Sequence, residues 1–338
     1  MEKLLHQEDE AFCLEGQTPS ITRYSGIKTG SFTLRQYSRN KADSDRAIIT
    51  VYTEGRDFTV NYERGLLALT ADSRVPDYRS SCFYGITPFN HENFKPGEWG
   101  NSMYTVYASY DYWGNESETQ ENLARKNYAS RGFNYLDLRR LSGDTVYYLV
   151  LGDSISRGCE AFPADKAYFS LFAETLERAA GKKVIVENIS IGGETTRGAL
   201  ARFEKDVLTR KFSLISIAYG MNDHNEINGV SCGVPLAEYS ENLRRMISFI
   251  GGRAEILLVN FCSPNDRWYY HGTKTDGYAE AVRQLGLEFS LPVCDVNWLW
   301  RKELEAGKNH RDLLLNDINH PNNYGHRIYA AACSAVLG

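Results

Sequence analysis

The chain has 338 residues, 42% of them apolar and 24% charged, with a net charge of −5. Those are the proportions of ordinary globular proteins, and the length suits two domains or one large one. The mildly acidic balance offers no basic stripe to a phosphate backbone, which argues against a nucleic-acid partner. No window approaches the roughly eighteen consecutive apolar residues of a membrane span.

In chain order, the opening MEKLLHQEDEAFCLEG is crowded with acids and has no apolar h-region, so it is not read as a signal peptide. SFTLRQYS, RAIITVYTE, DFTVNYERGLLALTAD and SMYTVYASYDYW follow as short alternating or β-branched runs separated by turn residues. Strands this close together, with no long helical pattern between them, predict an antiparallel, jelly-roll-like β-sandwich over residues 1–120. The last run puts Tyr104, Val106, Ala108, Tyr110 and Tyr112 on one face and Tyr107, Asp111 and Trp113 on the other. Aromatics on both faces could stack on a sugar, but a sandwich core with an interdomain contact is the expectation. Residues 121–144, polar and helix-tolerant, read as a bridge.

From 145 to 338 the rhythm changes to strand then helix. VYYLVL precedes a helical YFSLFAETLERAAG, and KVIVENISI precedes TRGALARFEKDVLTR. FSLISIAYG, LAEYSENLRRMISFIGG, AEILLVNFC, GYAEAVRQLGLEFS and PVCDVNWLW continue the alternation, and GHRIYAAACSAVL closes it. Repeated βα units predict a parallel sheet covered by helices on both faces. The seven cysteines form no CxxC pair and read as reduced thiols packed as small hydrophobes, which with the opening predicts a cytoplasmic protein. Cys159 is the one thiol close to the chemistry described next.

Ligands of open α/β sheets gather beyond the carboxyl ends of the strands. There the sequence places Gly152-Asp153-Ser154 after the first strand of this region, Gly192-Gly193 after the second and Asn222 after the third. Asp317 and His320 lie just before the last helix. A serine hydroxyl needs a base to become a nucleophile, and imidazole is that base at neutral pH. Asp317, three residues before His320, could fix its tautomer. The N–H groups of Ser154 and Gly193 and the amide of Asn222 could receive an oxyanion. Each fragment also has a plain structural use: Ser154 in a turn, Asn222 capping a turn, Asp317 capping a helix. Four of them in order at strand exits favour catalysis. His224 and His326 read as ordinary histidines. No HExxH, His/Cys cluster or P-loop occurs, so neither metal nor cofactor is expected.

With GDS, NISIGGETT, GMND and DINHP in order, residues 147–338 resemble the SGNH hydrolase superfamily, the GDSL esterases and lipases. The resemblance implies a flavodoxin-like three-layer fold with Ser154 as nucleophile, His320 as base and Asp317 as its orienter. It also implies an oxyanion hole of Ser154, Gly193 and Asn222. Arg157 stands where many members carry an acidic or apolar residue, which bears on the rim of the pocket. A β-sandwich ahead of such a domain is laid out like carbohydrate esterase family two and related deacetylases, a likeness of architecture only.

The expected activity is removal of a short acyl group, acetyl, from a carbohydrate. Rivals are a lysophospholipase or acyl-thioesterase on the same triad, or a non-catalytic carbohydrate-binding protein. Polar and aromatic segments should overhang the serine: SRGCEAFPADKAY, GGETTRG, NDHNEINGVSCG and SPNDRWYYHGTKTDG. In the last, Trp268, Tyr269 and Tyr270 are expected to stack on a sugar ring, with Asp266, Arg267 and His271 for its hydroxyls.

Overall fold

The computed structural model describes residues 2–39, 47–95, 100–141 and 143–338. Arg46 of the predicted strand RAIITVYTE and Ser142 of the predicted bridge lie outside the described residues. The front unit contains β1 (Lys3–Cys13), β2 (Ser20–Ile21), β3 (Thr33–Arg39), β4 (Ala47–Tyr52), β5 (Phe58–Asn61), β6 (Leu66–Leu69) and β7 (Thr105–Gly114). They pair antiparallel in two sheets, ordered β1-β7-β3-β4 and β2-β6-β5. The two-residue period of β7 turns Val106, Ala108, Tyr110 and Tyr112 into the sandwich core, with Phe12, Leu34 and Phe58. Tyr107, on the opposite face, is buried in the core of the second unit together with Ala11. Tyr107, Tyr110 and Tyr112 of this strand are therefore core and interdomain contact, while Trp113 is exposed.

β1 was not among the predicted strands, because Glu8-Asp9-Glu10 interrupts any apolar alternation. Tertiary partners make it possible. Glu10 is fully buried, with Lys308 Nζ at 2.5 Å and the Tyr110 hydroxyl at 2.5 Å. A buried charge is tolerable only when paired and hydrogen-bonded in this way.

The predicted bridge is no tether. Helix α1 (Gln120–Arg131) buries Ala124 and Tyr128 in the α/β core, and Phe133, Leu136 and Leu141 follow them in.

The second unit alternates β8 (Thr145–Gly152), α2 (Tyr168–Ala180), β9 (Lys183–Asn188), α3 (Thr196–Asp206) and β10 (Leu214–Ala218). The hairpin β11 (Glu226–Ile227) and β12 (Val230–Ser231) leads to α4 (Leu236–Ile250) and β13 (Glu255–Val259). Then come α5 (Thr275–Glu288), β14 (Val293–Cys294), α6 (Val296–Glu305), α7 (His310–Leu313) and α8 (Asn323–Ser334). The five strands form a parallel sheet ordered β14-β13-β10-β8-β9. Numbered within the unit this is 2-1-3-4-5, the flavodoxin-like order, whose topological switch lies between β8 and β10. α1, α2, α6 and α8 pack together, and α3, α4 and α5 form a second group. β8 and β10 are buried on both faces, which is why they read as nearly continuous apolar runs. Cys13, Cys262, Cys294 and Cys333 are buried, and no disulfide joins any of the seven cysteines. Among the described residues no helix is long and apolar enough to cross a membrane.

Candidate active site

β8 ends on Gly152 because nothing larger fits. A Cβ there would lie 2.4 Å from Ser156 Oγ and 2.7 Å from the Ala218 carbonyl at the end of β10. The chain then turns tightly, with Arg157 N donating to Asp153 O at 2.9 Å and Cys159 N to Ser154 O at 3.0 Å. Asp153 points inward and accepts the Ile155 N–H at 2.9 Å; burial pushes its carboxyl up to about 7. Ser154 is thereby presented at the switch point of the sheet.

His320 meets it there. Its Nε2 lies 2.8 Å from Ser154 Oγ, hydrogen-bond distance between base and nucleophile. Asn316 shapes the loop that carries it. Its Oδ1 accepts the backbone N–H groups of Ile318, Asn319 and His320 at 3.0, 2.9 and 2.8 Å. Sequence reasoning passed over Asn316, although an asparagine opening a short polar loop is itself a turn signal.

Asp317 does not face His320. Its φ of +59° turns its carboxylate away, into the interface with the front unit. There Oδ2 accepts the Tyr78 hydroxyl at 2.6 Å and Oδ1 accepts Asn265 Nδ2 at 3.0 Å. Burial raises its pKa. The spacing of Asp317 and His320 suggests a partnership that the fold does not form, because a left-handed residue so close to the base sends its side chain elsewhere. Among the described residues, the acid within ion-pair reach of His320 is Glu160, with Oε1 3.8 Å from Nδ1.

The other two predicted oxyanion donors lie on two further loops. After β9, Ile191 N donates to Gly152 O at 3.0 Å, holding this loop against the serine turn. A Cβ on Gly192 would lie 3.9 Å from Ser154 Cβ. Gly193, the next residue, has a φ of +75°, a conformation that favours glycine, and is exposed. Asn222 donates one amide hydrogen to Glu194 O at 3.1 Å, and a primary amide has a second to offer. The loop is braced from behind: Glu194 receives Arg202 at 2.6 Å and Tyr219 at 2.7 Å. Asp223 accepts Thr196 N at 2.9 Å and its hydroxyl at 2.5 Å, anchoring the start of α3. Arg157 is exposed and lies beside Gly192, on the rim of the site.

The predicted sugar platform takes another form. Trp268 is buried with Phe83, Phe89 and Ile318, and its indole N–H donates to His91 Nδ1 at 3.1 Å. The front unit covers it, since Phe89 N donates to Arg267 O and Tyr269 N to Phe89 O, each at 2.9 Å. The half-buried Tyr270 donates its hydroxyl to Glu92 at 2.7 Å, and Tyr269 stands edge-on to it. Trp268 is thus an interdomain core residue whose faces are taken. Asp266 is exposed, while Arg267 and His271 are half-buried.

The neighbouring histidines and thiol are structural. His326 is buried, donates from Nε2 to Cys159 O at 3.2 Å and is held neutral, its pKa pushed down to about 4 by burial. His224 is likewise buried, its pKa near 4, with Nδ1 3.0 Å from Gly220 O. Burial raises the Cys159 thiol pKa, opposite to what a nucleophilic thiolate needs.

A flavodoxin-like sheet with a serine–histidine pair at its switch point, behind a β-sandwich, defines an SGNH-type unit with a front domain. Residues 150–328, more than half of the chain, match the model of the GDSL-like lipase/acylhydrolase family. The chain belongs to that family. It is 38% identical to an arylesterase of Vibrio mimicus over 102 residues, 30% of this chain and 47% of that protein. The chain thus spans about half the length of that relative. It is 25% identical to the uncharacterized lipoprotein YqeF of Bacillus subtilis over 189 residues, 49% of this chain and 76% of that protein. Among solved structures it is similar to Axe2, an acetylxylan esterase from Geobacillus stearothermophilus, at 24% identity and TM-score 0.48, over 57% of this chain and 94% of that one. It is also similar to LAE5, an enzyme from the metagenome of Lake Arreo, at 21% identity and TM-score 0.47, over 57% of this chain and 96% of that one.

Proposed function

We propose that this protein is a serine esterase that removes an acetyl group from a carbohydrate through an acyl-enzyme. The observation that carries the reading is the 2.8 Å contact between Ser154 Oγ and His320 Nε2 at the sheet's switch point. Ser154 Oγ attacks the ester carbonyl while His320 takes its proton. The oxyanion is received by the N–H groups of Ser154 and Gly193 and by the Asn222 amide. Collapse expels the alcohol, which takes the proton back from His320. Water, deprotonated by the same imidazole, then releases acetate and restores the serine. Family membership and the likeness to an arylesterase support ester hydrolysis.

The acyl size follows from the surroundings. A long chain needs a continuous apolar groove, gaining about 0.8 kcal/mol per buried CH₂. Ser154 is instead bordered by Gly192, which is exposed like Gly193 after it and has the Arg157 guanidinium beside it. For the alcohol, a cavity of about 470 Å³ opens between the two units beside Glu160, lined by Tyr37, Arg39, Tyr107 and Phe162. Aromatic rings with a guanidinium suit a sugar. Seven cysteines with no disulfide among them suit a reducing compartment, and we place the protein in the cytoplasm.

A fluorophosphonate should label the wild type at Ser154 and leave Ser154→Ala unlabelled, with a loss of about 10⁴ or more in kcat. Catalytic efficiency should fall at least about tenfold from acetyl to octanoyl esters, given the transfer energy per methylene. Acetylated oligosaccharides should be turned over. Equal or better octanoyl hydrolysis would make the protein a lysophospholipase or thioesterase instead. Absence of all turnover and labelling would leave a carbohydrate-binding protein.

A further inference from the structure

Glu160 occupies the side of His320 opposite the nucleophile. The imidazole has Ser154 Oγ 2.8 Å from Nε2 and Glu160 Oε1 3.8 Å from Nδ1. The serine turn that displays Ser154 continues through Gly158 to Glu160, so one loop supplies both neighbours of the base. Glu160 has a φ of +68°, uncommon for a residue with a long side chain. Such a conformation persists where the surroundings over-determine it, and it clusters at functional sites. Asp317 has its two carboxylate oxygens engaged by Tyr78 and Asn265.

We infer that Glu160, and not Asp317, is the positioning acid of His320, an inference that rests on the esterase reading above. When Nε2 takes the Ser154 proton, the positive charge spreads to Nδ1–H, which faces Glu160 Oε1. The carboxylate stabilises that cation and fixes the tautomer with Nε2 free to accept; no proton passes to it. A separation of 3.8 Å is a charge contact longer than a hydrogen bond. Such contacts tighten in the reacting complex. His320 is the leading cause holding the Glu160 carboxyl below its ordinary range, with Arg39 and the neutral His326 as the other groups close by. Asp317 instead fastens the base-bearing loop to Tyr78 of the front unit.

The test compares Glu160→Gln, Glu160→Asp and Asp317→Asn with the wild type on a chromogenic acetate ester, reading kcat, KM, the pH profile of kcat/KM and thermal melting. Glu160→Gln keeps the shape and removes the charge. It should lower kcat at least about tenfold with KM nearly unchanged, since a neutral partner can favour the wrong tautomer. The acid limb should also move to lower pH, because an opposite charge close by favours the protonated imidazole. Glu160→Asp should restore the limb, which a merely structural role would not require. Asp317→Asn should lower the melting temperature and leave the limb in place. An unchanged rate and limb in Glu160→Gln, or a limb moved by Asp317→Asn, would overturn the assignment. If Glu160→Gln fails to fold, Glu160→Asp decides: a limb moved toward lower pH overturns it. Fluorophosphonate labelling of the wild type separates the two claims. Without Ser154 labelling the esterase reading fails; with it, an unmoved limb sinks only the role of Glu160.

Discussion

Replacing Tyr78 by phenylalanine isolates the bond that joins the front unit to the loop of the base. Tyr78 and Asp317 are both fully buried, and the hydroxyl lies 2.6 Å from Oδ2. The ring would keep its edge contacts with Tyr84 and Tyr104, at 6.1 and 5.8 Å between centroids, and the Arg311 guanidinium 4.9 Å above it. What is lost is one hydrogen bond to a buried carboxylate, which typically contributes about 1.5–3 kcal/mol. Asn265 still serves Oδ1. A cost of about 2 kcal/mol, spread over the unfolding entropy of a chain this size, lowers Tm by about 3 °C. The loss should shrink as pH falls through the Asp317 pKa, already raised by burial, because the protonated carboxyl gains less from the hydroxyl. Hydrolysis of a small acetate ester should fall by less than about tenfold, since Asn316 still holds the loop and Asp317 does not face the imidazole. Calorimetry and steady-state rates on one preparation read both. A variant with wild-type Tm and a rate loss of about 10³ would refute the reasoning, because that is how a member of the catalytic relay behaves.

Asn222→Ala should cost about 10²–10³ in kcat as a single oxyanion donor does, and a change confined to KM would remove it from that role. Asp153→Asn should change how stability depends on pH. The folded carboxyl titrates near 7, above the usual 3.8, so its protonated form favours folding, and that contribution is lost as pH rises from about 4 to 7. His224 and His326, lowered to about 4, slope the other way below about 6.5 and mask the effect in the wild type. Relative to the wild type, Asp153→Asn should therefore become more stable as pH rises through this window in denaturant titrations. A constant difference would mean that Asp153 is not buried as a neutral acid.

The strand–helix alternation after residue 144 was legible because β8 and β10 are buried on both faces and α2 and α4 are amphipathic. The same local logic put Ser154, Gly193, Asn222 and His320 at strand and loop exits, since parallel topology carries all such exits to one edge. β1 was hidden because its acids make sense only with Lys308 and Tyr110, which arrive from far along the chain. Trp268 read as an exposed aromatic because nothing local shows that Phe89 will cover it. Spacing along the chain paired Asp317 with His320. A left-handed backbone at Asp317 and another at Glu160 decided otherwise, because the direction of a side chain depends on φ and on what packs around it. Sequence alone determined which residue types reach the edge of the sheet; which carboxylate faces the imidazole was decided only by the packing of the front unit and the serine loop around it.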